Sequence, residues 1–112
     1  MSSETTNRLC GLVLMHLLPA AMEACFEAFS AALYRFGHIV GEYFAPVQGG
    51  VYADPTMTRL AVAVREQGIQ GVAQTSWGPT LCLLCPDEAA AVELQKNLKN
   101  SAMWGALHID LV

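Results

Sequence analysis

The sequence predicts an α+β domain in which helices pack on a small antiparallel sheet. Three observations predict it. Met22, Phe26, Phe29, Leu33, Phe36, Val40 and Tyr43 step by four and three residues in alternation, the spacing of a one-sided helix. Gly71-Val72-Ala73-Gln74-Thr75-Ser76 and Thr80-Leu81-Cys82-Leu83-Leu84-Cys85 flank the turn Trp77-Gly78-Pro79, as two paired strands would. Ala106-Leu107-His108-Ile109-Asp110-Leu111-Val112 alternates apolar with polar and reads as a further strand.

The first helix is expected from a Thr5 or Thr6 cap to about Leu18. Leu9, Leu12, Val13 and Met15 make it apolar nearly all round, which implies burial on several sides. Pro19 ends it or opens the next helix in its first turn. The second helix carries the long stripe, and Glu23, Glu27, Arg35 and Glu42 avoid that stripe. Pro46 is expected to stop it near Phe44.

A loop follows, Pro46-Val47-Gln48-Gly49-Gly50-Val51-Tyr52-Ala53. Asp54-Pro55 starts the third helix, with Met57, Leu60, Ala61 and Val64 on its inner face and Gly68 as its stop. Pro86-Asp87 opens the last helix, which carries Val92, Leu94, Gln95 and Leu98 and ends near Asn100. The order is helix, helix, loop, helix, strand, strand, helix, strand. Residues 1–112 form one domain, with no internal repeat and no linker.

Composition narrows the function. Hydrophobic residues make up 54% of the chain and charged residues 14%, a larger apolar share than a typical domain carries. Either the core is large for the chain or one face is covered by another surface. A net charge of −4 with six scattered basic residues disfavours a nucleic-acid partner, which needs clustered Lys and Arg. His16 and Pro19 interrupt the longest apolar run, at 12–22, and it is shorter than the roughly 20 residues of a membrane span. The expectation is a cytoplasmic protein without a membrane segment.

Cys82 and Cys85 have C-x-x-C spacing, but they lie in strand pattern and have no second ligand pair. All four cysteines, Cys10, Cys25, Cys82 and Cys85, are expected to be free and to pack as small core hydrophobes. His16, His38 and His108 stand apart, so no metal site and no bound cofactor are expected in this chain.

Two segments carry candidate chemistry. Gln74, Thr75, Ser76, Trp77, Gly78 and Thr80 offer amide, hydroxyl and indole groups around a glycine, where backbone N–H groups can face an anion. The simpler reading is a polar hairpin turn anchored by Trp77. Gln48, Gly49 and Gly50 form the second segment, since adjacent glycines let another group approach closely. A flexible connection is its simpler reading. Glu42 at the end of the long helix is a third, weaker candidate.

Leu17-Leu18-Pro19-Ala20, Gly41-Glu42-Tyr43-Phe44-Ala45-Pro46-Val47-Gln48-Gly49-Gly50 and Gly71-Val72-Ala73-Gln74-Thr75-Ser76-Trp77-Gly78-Pro79-Thr80 resemble the C-terminal part of beta-ribofuranosylaminobenzene 5'-phosphate synthases of the GHMP kinase superfamily. The resemblance runs from about Arg8 to Leu98. The segment from Gln74 to Thr80 is its most specific part, because Trp77 stands where the kinases' third motif usually has glycine or alanine. Ala73 departs from an expected glycine, and Thr75 from an expected serine.

The resemblance implies a ferredoxin-like, GHMP C-terminal-like two-layer sandwich, with two N-terminal helices and then α-β-β-α-β. It further implies that a phosphate-loop domain and a first strand of the same polypeptide lie outside this chain. The implied reaction joins 4-aminobenzoate or 4-hydroxybenzoate to phosphoribosyl pyrophosphate, with loss of carbon dioxide and pyrophosphate, in methanopterin synthesis. Gln74, Thr75, Ser76, Gly78 and Thr80 would then border substrate phosphates, with Gln48 and Gly49 nearby. Trp77 would meet either the aromatic ring or the inter-domain wall. Magnesium would enter with the full-length enzyme, and the fragment alone would be inactive. An exposed sheet edge implies a homodimer. A small-molecule kinase of the same superfamily and a stand-alone ferredoxin-like binding module are the alternatives.

Overall fold

In the computed structural model, residues 2–74, 80–102, 104 and 107–111 are described. The chain begins as α1 (Ser3–Leu12), a π-helical turn (Val13–Leu17) and α2 (Leu18–Met22), which follow one another without a break. Ser2, rather than Thr5 or Thr6, caps α1 by accepting the Thr5 N–H on its hydroxyl. Pro19 accounts for the wide turn. It has no N–H for the carbonyl of Met15, and its ring would crowd that oxygen in a regular helix. The Leu18 N–H instead reaches back to the Val13 carbonyl, and the chain stays helical through the proline.

Ala24, at φ 53, reverses the chain into α3 (Phe26–Gln48). The expected apolar stripe is therefore divided, because Met22 ends α2 while Phe26 begins α3. Pro46 does not stop α3 near Phe44. So late in a helix it removes a single N–H, and the helix runs two residues further, to Gln48. Gly49, at φ 88, closes it with an N–H bond to the Ala45 carbonyl at 2.8 Å.

The most deeply packed positions of α3 are small. Ser30, Ala32 and Gly41 are buried, whereas Phe26 and Tyr43 of the aromatic stripe are exposed. Gly37 lies against β1, where a Cβ would sit 2.9 Å from that of Ala73. At Gly41 a Cβ would meet the carbonyl oxygen of Val51 and lie 2.6 Å from its Cγ1. Two glycines thus let the following loop and strand close onto the helix.

α4 (Pro55–Glu66) begins as expected, with the Asp54 carboxylate accepting the Thr56 N–H at 2.7 Å. It ends in a Schellman turn, in which Gly68 (φ 99) donates to Arg65 O and Ile69 to Val64 O. β1 (Val72–Gln74) pairs antiparallel with β2 (Leu81–Leu83), placing Val72 opposite Leu83, Ala73 opposite Cys82 and Gln74 opposite Leu81. α5 (Glu88–Lys99) starts on the Asp87 cap, whose carboxylate accepts the Ala90 N–H.

The final strand does not form among the described residues. The Ile109 carbonyl accepts the Gln95 side-chain amide at 3.0 Å rather than a strand N–H. Leu107 and Ile109 lean on the core while His108 and Asp110 face outward. The alternation thus records one-sided burial, which does not require a ladder partner. Among the described residues the sheet has two strands, and the architecture is α+β.

The core gathers Leu60, Ala61 and Val64 of α4, Val72 of β1, Leu98 of α5 and Trp104. Along the N-terminal helices, Leu9, Leu12 and Ala20 are buried, but Leu14, Met15, Leu18 and Met22 are exposed, Met22 by 86%. The expectation of burial on several sides fails for that face. Among the described residues, no helix is long and apolar enough to cross a membrane.

Candidate functional site

The loop that carries Gly49 and Gly50 is tied, at its Ala53 end, to Gln74 at the end of β1. Gln74 is half-buried, and its Oε1 accepts the Ala53 N–H at 2.8 Å. Gln48, in the last turn of α3, donates through Nε2 to the carbonyls of Gly50 and Val51, each at 2.8 Å. One glutamine folds the Gly-Gly loop onto its own helix, and the other ties the end of that loop to the sheet. Gly49 and Gly50 lie between them. No atom lies within 4 Å of a Cβ built on Gly49, so that backbone borders open space.

Thr80 is exposed just before β2. Thr75, Ser76, Trp77 and Gly78 lie outside the described residues. Ala73 directs its methyl at Gly37, so the departure from an expected glycine is accommodated by the absence of a side chain on α3. Glu42 pairs with His38 one turn back, at 3.1 Å, in an exposed position.

The cysteines are free, but Cys10, Cys25 and Cys82 are exposed and only Cys85 is partly buried. They are therefore not core hydrophobes: α1 turns Cys10 outward, Cys25 sits in the α2–α3 turn, and Cys82 faces away from the core residues Leu81 and Leu83. Burial, and to a lesser degree the neighbouring Asp87 carboxylate, pushes the Cys85 thiol above its ordinary value. Among the described residues, no three His, Cys, Asp or Glu side chains converge as a metal site would require.

A second cluster has no signature in the sequence pattern. Arg65 of α4 stacks on Tyr34 of α3, with Cζ 3.5 Å from the ring centroid. Its Nη1 also donates to the Gln70 carbonyl at 2.9 Å. The ring of Tyr34 lies 5.6 Å from that of His38. Tyr52, on the Gly-Gly loop, stands in the same cleft. Burial, and then Tyr34, raises its phenol pKa, while Arg65 pulls it the other way. Only the folded chain brings positions 34, 52 and 65 together, and no spacing rule would have linked them.

No family model, curated protein or solved structure matches this chain.

Proposed function

We propose that this chain is the substrate-side domain of a GHMP-superfamily enzyme similar to beta-ribofuranosylaminobenzene 5'-phosphate synthases. In this reading it is a ferredoxin-like domain that works beside a phosphate-loop domain and is inactive alone. The observation that supports the reading is the hydrogen bond from the Ala53 N–H to Gln74, which ties the loop that follows segment 41–50 to segment 71–80. Polar groups of Gln74 to Thr80 and the open backbone at Gly49 would then border the phosphates of phosphoribosyl pyrophosphate, and Trp77 would border the benzoate or the domain wall. The exposed apolar side chains of the N-terminal helices support a covering surface, supplied by the second domain or by a second copy. Magnesium would come with the pyrophosphate. No described residue of this chain is assigned to it, and no step is routed through it.

The test is an assay of this chain alone and joined to the phosphate-loop domain. Phosphoribosyl pyrophosphate is supplied with 4-aminobenzoate or 4-hydroxybenzoate, and pyrophosphate and carbon dioxide are measured. Release by the joined protein alone is the expected result, with Trp77→Ala impairing aromatic-substrate use far more than folding. Phosphoryl transfer from ATP with no pyrophosphate release would turn the reading toward a small-molecule kinase. Ligand binding without turnover in the joined protein would turn it toward a stand-alone module.

A further inference from the structure

A cleft of about 300 Å³ opens between α3, the Gly-Gly loop and α4, lined by Tyr34, Tyr52, Ala61, Val62, Arg65 and Glu66. Its size sits at the small end of ligand pockets. Arg65 is the feature that gives it chemistry. Stacking on Tyr34 and the bond to the Gln70 carbonyl fix the plane of the guanidinium. Among the described residues, no carboxylate pairs with it. A guanidinium held in plane with free N–H groups along its edge is prepared for a flat, two-oxygen acceptor.

The surroundings select which acceptor. The hydroxyls of Tyr34 and Tyr52 make no hydrogen bond with the described residues, so both are available to a bound polar group. The side chains of Ala61 and Val62 form an apolar wall, and Val62 remains 53% exposed there. Glu66, on the same lining, repels any bound anion, and a dianion such as phosphate about twice as strongly as a carboxylate, so it favours the singly charged acceptor of the two. Tyr34 and Tyr52 are each half-buried, so the cleft is partly shielded from water.

We propose that this cleft binds a small monocarboxylate carried on an apolar body, with Arg65 holding the carboxylate and Val62 and Ala61 meeting the body. The proposal does not rest on the transferase reading, because none of its residues belongs to the Gln74–Thr80 or Gln48–Gly49 segments.

The test is a two-dimensional amide NMR titration of the full chain with hexanoate, 1-hexanol and inorganic phosphate. Hexanoate is expected to saturate in the low-millimolar range, with shifts centred on residues 34, 52 and 61–66. Hexanol should bind about 10-fold more weakly or less, since it lacks the charge-assisted bonds. Arg65→Gln should weaken hexanoate by about 10-fold or more. Val62→Glu, at an exposed position, should do the same without touching the core, and it reads the site even if Arg65→Gln disturbs the fold. The proposal is overturned if hexanol matches hexanoate, if phosphate binds more tightly than hexanoate, or if the shifts lie elsewhere. It is equally overturned if nothing saturates by tens of millimolar, or if Val62→Glu binds as the parent does.

Discussion

The backbone N–H of Ala53 donates to the side-chain oxygen of Gln74 across 2.8 Å, joining residues 21 positions apart. The Gly-Gly loop is thereby held at the end of the hairpin strand. Gln74→Ala should cost about 0.5–1 kcal/mol, because this bond is solvent-exposed and its net value small. Gln74→Glu keeps the acceptor and should cost less. Hydrogen exchange at the Ala53 amide checks this locally, with faster exchange in Gln74→Ala and near-parent exchange in Gln74→Glu.

Three glycine-to-alanine changes should separate packing from propensity. Nothing lies within 4 Å of a Cβ at Gly11, so Gly11→Ala should stabilise α1 by about 0.5–1 kcal/mol. At Gly41 the new methyl meets backbone, the Val51 carbonyl, and backbone yields poorly. Gly41→Ala should lose about 1–3 kcal/mol. Gly37→Ala meets the Ala73 methyl and should fall between them. Urea-unfolding midpoints measure all three.

Tyr52 predicts an alkaline weakness. Its folded pKa is raised above 10.0, so between that value and the folded one the unfolded chain has lost a proton that the folded chain retains. Stability must then fall as pH rises. Below this window the group contributes no pH dependence. The parent should lose stability relative to Tyr52→Phe above about pH 10, and the difference should be flat at neutral pH. Paired denaturant titrations across that range check the sign.

Thiol alkylation should divide the cysteines. The thiolate is the reactive form, and burial raises the Cys85 pKa while also restricting access. Iodoacetamide at mildly alkaline pH should modify the exposed Cys10, Cys25 and Cys82 first and Cys85 last, read by peptide mass spectrometry. Modification of Cys85 as fast as the others would contradict its placement.

The exposed line Leu14, Met15, Leu18 and Met22 predicts self-association of the isolated chain. Light scattering should give a dimer, and Met15→Glu combined with Met22→Glu should give a monomer with unchanged helicity. A parent chain that is monomeric at working concentration rules the dimer out.

Local chemistry was legible wherever one residue type makes one bond. Asp54 and Asp87 declared the starts of α4 and α5, because a side-chain carboxylate next to the first turn accepts a free N–H wherever the helix is later packed. Gly68 declared the end of α4, because its positive φ suits a residue without a side chain. Leu60, Ala61 and Val64 declared their inward face by spacing alone.

Other features needed the third dimension. Alternation at 107–111 marks which side chains are covered but not whether a strand lies alongside, and a side chain of α5 took the carbonyl that a ladder would have used. The aromatic stripe marked a helix, yet the tightest contacts of α3 fell to Gly37 and Gly41, because close approach rewards missing atoms as much as apolar ones. The same reason governs the sites. The sequence by itself named Gln48, Gly49 and Gln74 as separate polar and flexible positions, and determined the α+β class with the boundaries of α4 and α5. Only the tertiary structure decided that Gln74 is tied to the Gly-Gly loop, and that Tyr34, Tyr52 and Arg65 share a cleft. Contacts between distant positions are set by how helices and strands pack, and residue spacing along one element carries no record of its neighbour.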